Sequence, residues 1–166
     1  MRPGESPEVF LDTTFILPFF QIDIEVEGFD LAEFAEALSK LSKVHLSELS
    51  IFEAKAVLRR LSREEPAYLQ ALRAFGTNLA ALREDERFVF HTYTPQDDEN
   101  FNLIHSKNLG LDSFHMIILA QALNVGTLVT EDGEILRLRE HAEFKEPRLG
   151  KLKILRWKEM RSAGLS

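Results

Sequence analysis

Residues 9–15 read VFLDTTF, a short apolar run that ends in an aspartate and two threonines. A continuous apolar run bounded by a turn signal is typical of a buried strand in a parallel sheet. We therefore predict a strand over residues 8–12. A carboxylate at the end of a buried strand costs free energy unless it is hydrogen-bonded or bound to a cation. Asp12 is therefore the first candidate functional residue.

Strand and helix patterns alternate along the rest of the chain. Further strands are predicted at residues 43–47, 87–91, 126–130 and 151–155. A helix is predicted from Thr13 onward, soon interrupted by Pro18 and the acidic stretch at residues 21–28. Further helices are predicted at residues 29–40, 50–60, 65–83, 95–107, 112–123 and 133–140. Strands separated by helices pair in parallel, so the expected fold class is α/β, a three-layer α/β/α sandwich with a central, mainly parallel five-stranded sheet. No linker divides the chain, and we expect residues 1–166 to form a single domain.

Composition limits the kinds of chemistry and the compartment. The chain is 45% hydrophobic and 28% charged, an ordinary globular mix, and it has no cysteine, which excludes disulfides and thiolate metal sites. The longest apolar run, residues 15–20, is too short to span a bilayer. The first residues, MRPGESPEV, lack a secretory signal pattern. We therefore expect a cytoplasmic protein with no membrane partner.

Charge is distributed unevenly. The net charge of −7 divides into an acidic body and a basic C-terminal segment, residues 137–166, with 9 Lys and Arg against 4 acids. The acidic body argues against broad nonspecific binding to nucleic acid. The basic segment leaves room for local phosphate contacts, although such runs are also typical of a solvated surface.

Three more carboxylates stand at predicted element boundaries, namely Glu53 in SELSIFEA, Asp112 in LDSFHMIILAQA and Asp132 in VTEDGE. Ligands bind outside the carboxyl ends of the strands in open α/β sheets. If the fold brings the four acids together there, they form a site for Mg²⁺ or Mn²⁺, which prefer oxygen ligands. Each acid also has a local explanation: a capping box between Ser50 and Glu53, an N-cap at Asp112 and turns at the other two.

Two details of this site stay open at the level of sequence. Glu48 lies at the end of the second strand and competes with Glu53 for the same role. His115 lies one turn after Asp112 and can hydrogen-bond that carboxylate, although a partly buried structural histidine is the commoner case. No P-loop, G-x-G-x-x-G or G-x-S-x-G motif is present, so the sequence gives no support to nucleotide binding or a hydrolase triad.

The four motifs together resemble those of the PIN-domain family. LDTTFIL at residues 11–17 is similar to the family's first strand and turn, and the other three acidic stretches are similar to its later motifs in order and spacing. The resemblance implies a Mg²⁺- or Mn²⁺-dependent ribonuclease, most commonly a VapC-like toxin of bacteria or archaea. It implies that the catalytic and metal-binding acids are Asp12, Glu53, Asp112 and Asp132, with Glu134 as a further metal ligand and with Thr13, Thr14, Thr130 and His115 in support.

The resemblance also implies partners, and the chain departs from the family's pattern in two places. The expected partners are an RNA substrate, an antitoxin protein and a second copy of the chain in a homodimer to which the helical arm of residues 50–83 contributes. Glu131 stands where many members have a basic residue, and residues 21–29 are longer and more acidic than usual. An alternative is therefore a PIN-like protein-interaction module with weak or no catalysis, and a second alternative is an acidic-pocket phosphatase. Phosphate-contact candidates by sequence proximity are Lys107, Arg137 and Arg139.

Overall fold

A computed structural model describes residues 7–162. Its sheet contains five strands, all parallel, in the order β3-β2-β1-β4-β5. The strands are β1 (Glu8–Leu11), β2 (Lys43–Ser47), β3 (Phe88–His91), β4 (Thr127–Val129) and β5 (Lys153–Leu155). Each predicted strand is present within two residues of its predicted bounds. The predicted fold class is confirmed.

Seven α-helices connect and cover these strands. They are α1 (Leu31–Ser39), α2 (Glu48–Glu64), α3 (Tyr68–Glu84), α4 (Pro95–Ser106), α5 (Ser113–Ala122), α6 (Gly133–Arg137) and α7 (Trp157–Ser162). The side chains of the strands alternate between two apolar cores. Val9 and Leu11 pack on one face with residues of α1, α2, α3 and α7, whereas Phe10 packs on the other with residues of α4, α5 and α6. The sheet is therefore the middle layer of a sandwich.

Several helices differ from the sequence prediction. The segment after Asp12 forms two short 3₁₀ turns, Thr13–Phe15 and Leu17–Phe20, in place of an α-helix, because Pro18 lacks the backbone N–H that a continuous helix needs. Helix α2 begins at Glu48, capped by the Ser47 hydroxyl, two residues before the predicted start. Helix α7 was not predicted. No helix among residues 7–162 is both long and apolar enough to cross a membrane.

Salt bridges attach the basic C-terminal segment to the body of the fold. The pairs are Arg139–Glu159 at 2.8 Å, Arg148–Glu99 at 3.8 Å, Arg156–Glu131 at 3.9 Å and Arg161–Glu33 at 2.5 Å. Four arginines that the sequence left available for phosphate thus have carboxylate partners. The end of this segment, residues 163–166, and the start of the N-terminal stretch, residues 1–6, lie outside the described residues.

Candidate active site

A cavity of about 500 Å³ opens at the carboxyl ends of β1 and β4, which are neighbouring strands in the interior of the sheet. Its lining includes six carboxylates and one imidazole, and none of its lining residues is Lys or Arg. These seven residues are Asp12, Glu25, Glu53, Asp112, His115, Glu131 and Asp132. The four acids predicted from the sequence therefore line one cavity, although their chemical role stays a prediction.

Asp12 is the deepest of these acids, with 6% of its surface exposed. It follows β1 and caps the first 3₁₀ turn, so that one oxygen, Oδ1, accepts a hydrogen bond from the backbone N–H of Thr13 at 2.8 Å. The other oxygen, Oδ2, accepts one from the Thr130 hydroxyl at 2.6 Å. Thr130 is fully buried and its Oγ1 also accepts the backbone N–H of Asp132 at 3.0 Å. Thr130 therefore links two of the predicted acids.

Burial raises the pKa of the Asp12 carboxyl above its usual value. The hydrogen bonds from Thr130 and Thr13 oppose this rise in pKa, as does the charge of His115, whereas the charge of Asp132 adds to it. Ionised Asp12 is thus poorly compensated by the protein alone. A carboxylate in this condition gains free energy when a cation binds beside it.

This raised pKa predicts how the stability of the chelated protein depends on pH. Because folded Asp12 holds its proton at a higher pH than unfolded Asp12, whose pKa is about 3.9, its contribution to stability is largest in acid and is lost as pH rises through the folded pKa. We expect the free energy of unfolding of the wild type in EDTA, minus that of Asp12→Asn, to fall as pH rises through that window. Urea titrations at a series of acidic pH values measure this difference in the free energy of unfolding. A difference that stays constant or rises with pH would contradict a raised pKa for Asp12.

Thr13 holds Glu53 in the cavity. Its hydroxyl donates to Oε2 of Glu53 at 2.5 Å and lies 2.8 Å from the Ser50 hydroxyl, which is fully buried. Thr14 also lines the cavity. The hydroxyl of Thr13, which the family resemblance placed in a supporting role, therefore orients an acid that projects from the first turns of α2.

The structure places Glu48 and Glu53 in different surroundings. Glu48 is the first residue of α2, accepts a hydrogen bond from Arg83 at 2.8 Å and does not line the acidic cavity. Glu53 does line it. The alternative explanation of Glu53, a capping box with Ser50, is wrong, because α2 begins at Glu48 and Ser47 is its N-cap.

Asp112 and Asp132 reach the cavity as helix caps. Asp112 caps α5 and accepts the backbone N–H of His115 at 2.9 Å. Asp132 caps α6 and accepts the backbone N–H groups of Glu134 and Ile135, each at 2.9 Å. A cap uses one carboxylate oxygen, so the second oxygen of each side chain remains for another ligand.

His115 stands among three carboxylates. Its Nε2 lies 3.3 Å from Oδ2 of Asp132, and its Nδ1 lies 3.4 Å from Glu134 and 3.5 Å from Asp112. Nδ1 has no hydrogen-bond partner within residues 7–162. Ligand atoms of His115, Asp132 and Glu134 all lie within 4.8 Å of one another, close enough to hold one metal ion. The hydrogen bond between the His115 imidazole and the Asp112 carboxylate that the sequence suggested is therefore not formed, although the two side chains lie close together.

Two acids of the cavity were not predicted as site residues. Glu25 comes from the long acidic segment, whose composition was noted without a position in space. Glu131 was noted as a departure from the family. Its Oε1 accepts the backbone N–H of Trp157 at 2.9 Å, and Arg156 lies 3.9 Å from its other oxygen. Glu131 is therefore partly engaged in attaching the C-terminal segment, which no local signal in the sequence reveals.

The three basic residues proposed from sequence proximity do not line the cavity. Arg139 is held by Glu159, and Arg137 lies 3.9 Å from Glu134 at the outer edge of the cluster. Lys107 caps the end of α4, and its side chain is not part of the cavity lining.

The cavity fits a hard divalent cation on its own chemistry. Several carboxylates that face one cavity repel one another unless a positive charge lies between them. Oxygen donors of this kind suit Mg²⁺ and Mn²⁺, and the imidazole of His115 adds a nitrogen donor that suits Mn²⁺ better than Mg²⁺.

A model of the PIN domain matches residues 9–141, a span that runs from the second residue of β1 through α6 and contains every predicted acid of the cavity. No curated protein matches the chain.

Proposed function

The chain belongs to the PIN-domain family of nucleases, which confirms the resemblance seen in the sequence, and on this premise we propose that it is a Mg²⁺- or Mn²⁺-dependent ribonuclease. The observation that carries the proposal is the cavity itself, in which acids from four separate motifs share one space with no lysine or arginine in its lining. The reaction is hydrolysis of an RNA phosphodiester: a P–O bond to water oxygen forms, and the P–O bond to the leaving nucleoside breaks.

The residues proposed to hold the cation are the four predicted acids, Asp12, Glu53, Asp112 and Asp132, with Glu134 as a further ligand. When bound there, a divalent cation supplies Lewis-acid polarisation of the phosphodiester and offsets its negative charge. His115 contacts three carboxylates of this group, and we propose that it either joins them as a ligand or positions them. Both roles require the same short distances.

The other residues of the site act by positioning. Thr130 fixes Asp12 and the backbone at Asp132 through one hydroxyl, and Thr13 fixes Glu53 through another. Such contacts hold charged groups in place before the substrate arrives, which lowers the reorganisation needed in the transition state. Thr14, which lines the same cavity, is proposed to contact the substrate or an ordered water.

The physiological setting proposed for this activity is a VapC-like toxin with a separate antitoxin protein and with the chain as a homodimer. The support is the resemblance of the four motifs, together with the exposed apolar side chain of Leu69 on the α2–α3 arm, which is 42% exposed. Light scattering of the purified chain tests the dimer: a monomeric mass at working concentrations would overturn it.

The ribonuclease proposal is tested by a matched pair of variants on the same helix. Glu53→Gln removes a charge from the cavity, whereas Glu64→Gln removes one from the exposed far end of α2. We expect Glu53→Gln to lower Mn²⁺-dependent cleavage of single-stranded RNA about 100-fold or more, and Glu64→Gln to leave it unchanged. Cleavage that persists in EDTA, or that survives Glu53→Gln, would contradict the proposal. Mn²⁺ binding without cleavage would support the interaction module instead.

A further inference from the structure

A second cavity of about 320 Å³ lies beside the acidic one, between the first turns of α2, the loop after β3 and the middle of α5. Its walls are mainly apolar and include two exposed rings, Phe52 at 71% and Tyr93 at 47% exposure. Phe52 and Tyr93 thus present two exposed rings on the wall of one cavity. Exposed apolar side chains that cluster around a cavity are typical of a surface that binds a ligand or a partner.

The second cavity and the acidic one are lined by neighbouring residues of the same two helices, α2 and α5. On α2, Phe52 lines the second cavity, and the next residue, Glu53, lines the acidic cavity. On α5, Phe114 and Ile118 line the acidic cavity, whereas Ile117 and Gln121 line the second. Because a helix rises 1.5 Å per residue, seven residues of α5 cover about 10 Å. Stacked nucleotides are about 3.4 Å apart, so a single strand crossing the acids would reach the second cavity within a few nucleotides.

Gln121 lines this cavity and carries a buried side-chain oxygen that is not hydrogen-bonded within the described part of the chain. The residue is 1% exposed, and its Oε1 has no hydrogen-bond partner among the described residues. Its Nε2 is directed to the backbone oxygen of His91 at 3.4 Å, which leaves Oε1 as the acceptor for a ligand. A buried acceptor without a partner costs free energy, and a donor from a ligand would recover it.

The charges of the second cavity do not oppose nucleic acid. Its acid, Glu48, is paired with Arg83, which also lies over the Phe90 ring at 4.4 Å. Burial and the charge of His45 lower the pKa of His91, whose Nε2 lies 2.7 Å from Nδ1 of His45. The wall is therefore close to neutral, unlike the acidic cavity beside it.

We propose that this second cavity binds a nucleobase of the RNA substrate, with Phe52 and Tyr93 as stacking rings and Gln121 Oε1 as the acceptor for an exocyclic amino group. The proposal rests on the proposed ribonuclease function and extends it to specificity. An exposed aromatic ring stacks on any base. A single hydrogen-bond acceptor, by contrast, favours bases that present an amino group over bases that present an oxygen. Adenine and cytosine carry an amino group at the exocyclic position, where uracil carries an oxygen that would face Oε1 unfavourably. The expected preference is for adenine or cytosine over uracil at one position near the cleaved bond.

The test uses the full chain and short single-stranded oligoribonucleotides in which one nucleotide at a time is replaced by an abasic riboside. With the wild type, removal of one particular base is expected to lower kcat/KM about tenfold or more, the scale of one base–aromatic stack. With Phe52→Ala the same removal is expected to have little further effect. Gln121→Leu should remain sensitive to the abasic site but lose the preference for adenine or cytosine over uracil. Leu31→Ala is the control, because it removes an apolar side chain that is 60% exposed and lines neither of these two cavities.

A binding measurement separates this proposal from the ribonuclease proposal. Fluorescence anisotropy of a labelled adenine-containing oligoribonucleotide in EDTA measures binding that includes the second cavity, under conditions that prevent metal-dependent cleavage. Tighter binding than to its abasic counterpart, lost in Phe52→Ala, supports the base subsite even if no cleavage occurs. Equal sensitivity of the wild type and Phe52→Ala to base removal, in cleavage and in binding, overturns it. So does a dimer that becomes monomeric in Phe52→Ala, because the cavity would then be a contact between copies.

Discussion

Replacing Asp12 with asparagine is expected to abolish cation binding and to lower RNA cleavage about 1,000-fold or more, while making the chelated protein more stable at neutral pH. The two effects share one cause. Ionised Asp12 is 6% exposed and has only two hydroxyl or amide donors to compensate its charge. Asparagine keeps the shape and removes the buried charge, which favours the folded state without metal. It also removes a charged ligand, and loss of several kcal/mol of transition-state stabilisation corresponds to such a rate factor.

Thermal melts with and without Mn²⁺ measure both effects in one set of samples. Mn²⁺ should raise the melting temperature of the wild type by an amount that depends on how tightly the protein binds the ion, because a ligand that binds only the folded state stabilises that state. Asp12→Asn should melt higher than the wild type in EDTA and show no shift with Mn²⁺. Glu64→Gln should behave as the wild type does. A variant that still shows the full Mn²⁺ shift would exclude Asp12 as a ligand.

The sequence predicted the sheet well because its strands are decided locally. Runs such as VFL at residues 9–11 are apolar without interruption, and a strand buried on both faces needs that pattern. The segment after Asp12 was predicted as a helix that Pro18 soon interrupts, and it forms two 3₁₀ turns, the second of which contains Pro18. Helix α7 was missed because its six residues are too few for a clear periodicity.

The candidate site was predictable where its acids follow a strand or begin a helix. Asp12, Asp112 and Asp132 occupy such positions, and the structure places all three in one cavity with Glu53. Contacts that join distant parts of the chain were not predictable. The approach of His115 to Glu134 depends on how α5 and α6 pack, and Glu25 depends on the path of an irregular segment. Neither has a local signal.

The segment beyond residue 141 lies outside the matched family region but is part of the same fold. It supplies β5 to the edge of the sheet beside β4 and ends in α7, where Trp157 is 1% exposed. Trp157 packs against Phe15, Phe29 and Phe34, with ring centroids 5.5–6.5 Å away. The core under the cavity therefore depends on this segment.

We expect Trp157→Ala to lower the free energy of unfolding by about 3–5 kcal/mol, the usual cost of removing a large buried aromatic side chain. That is a large share of the roughly 5–15 kcal/mol that holds a domain folded. The variant also removes the hydrogen bond from Nε1 to the carbonyl of Gly28 at 3.2 Å. This bond fixes the segment that carries Glu25 and Val26 into the acidic cavity, so cation affinity should fall as well.

Urea unfolding separates these two consequences of the Trp157 substitution. Trp157→Phe keeps most of the packing and loses the bond to Gly28, so it should recover most of the stability while retaining part of the loss in Mn²⁺ affinity. Lys158→Ala, which changes the adjacent exposed residue, should alter neither. A loss below about 1 kcal/mol for Trp157→Ala would be typical of a surface position, and would show that the C-terminal segment does not support the core. The loss of Mn²⁺ affinity that remains in Trp157→Phe then measures how much the hydrogen bond to Gly28 alone contributes to positioning the wall of the acidic cavity.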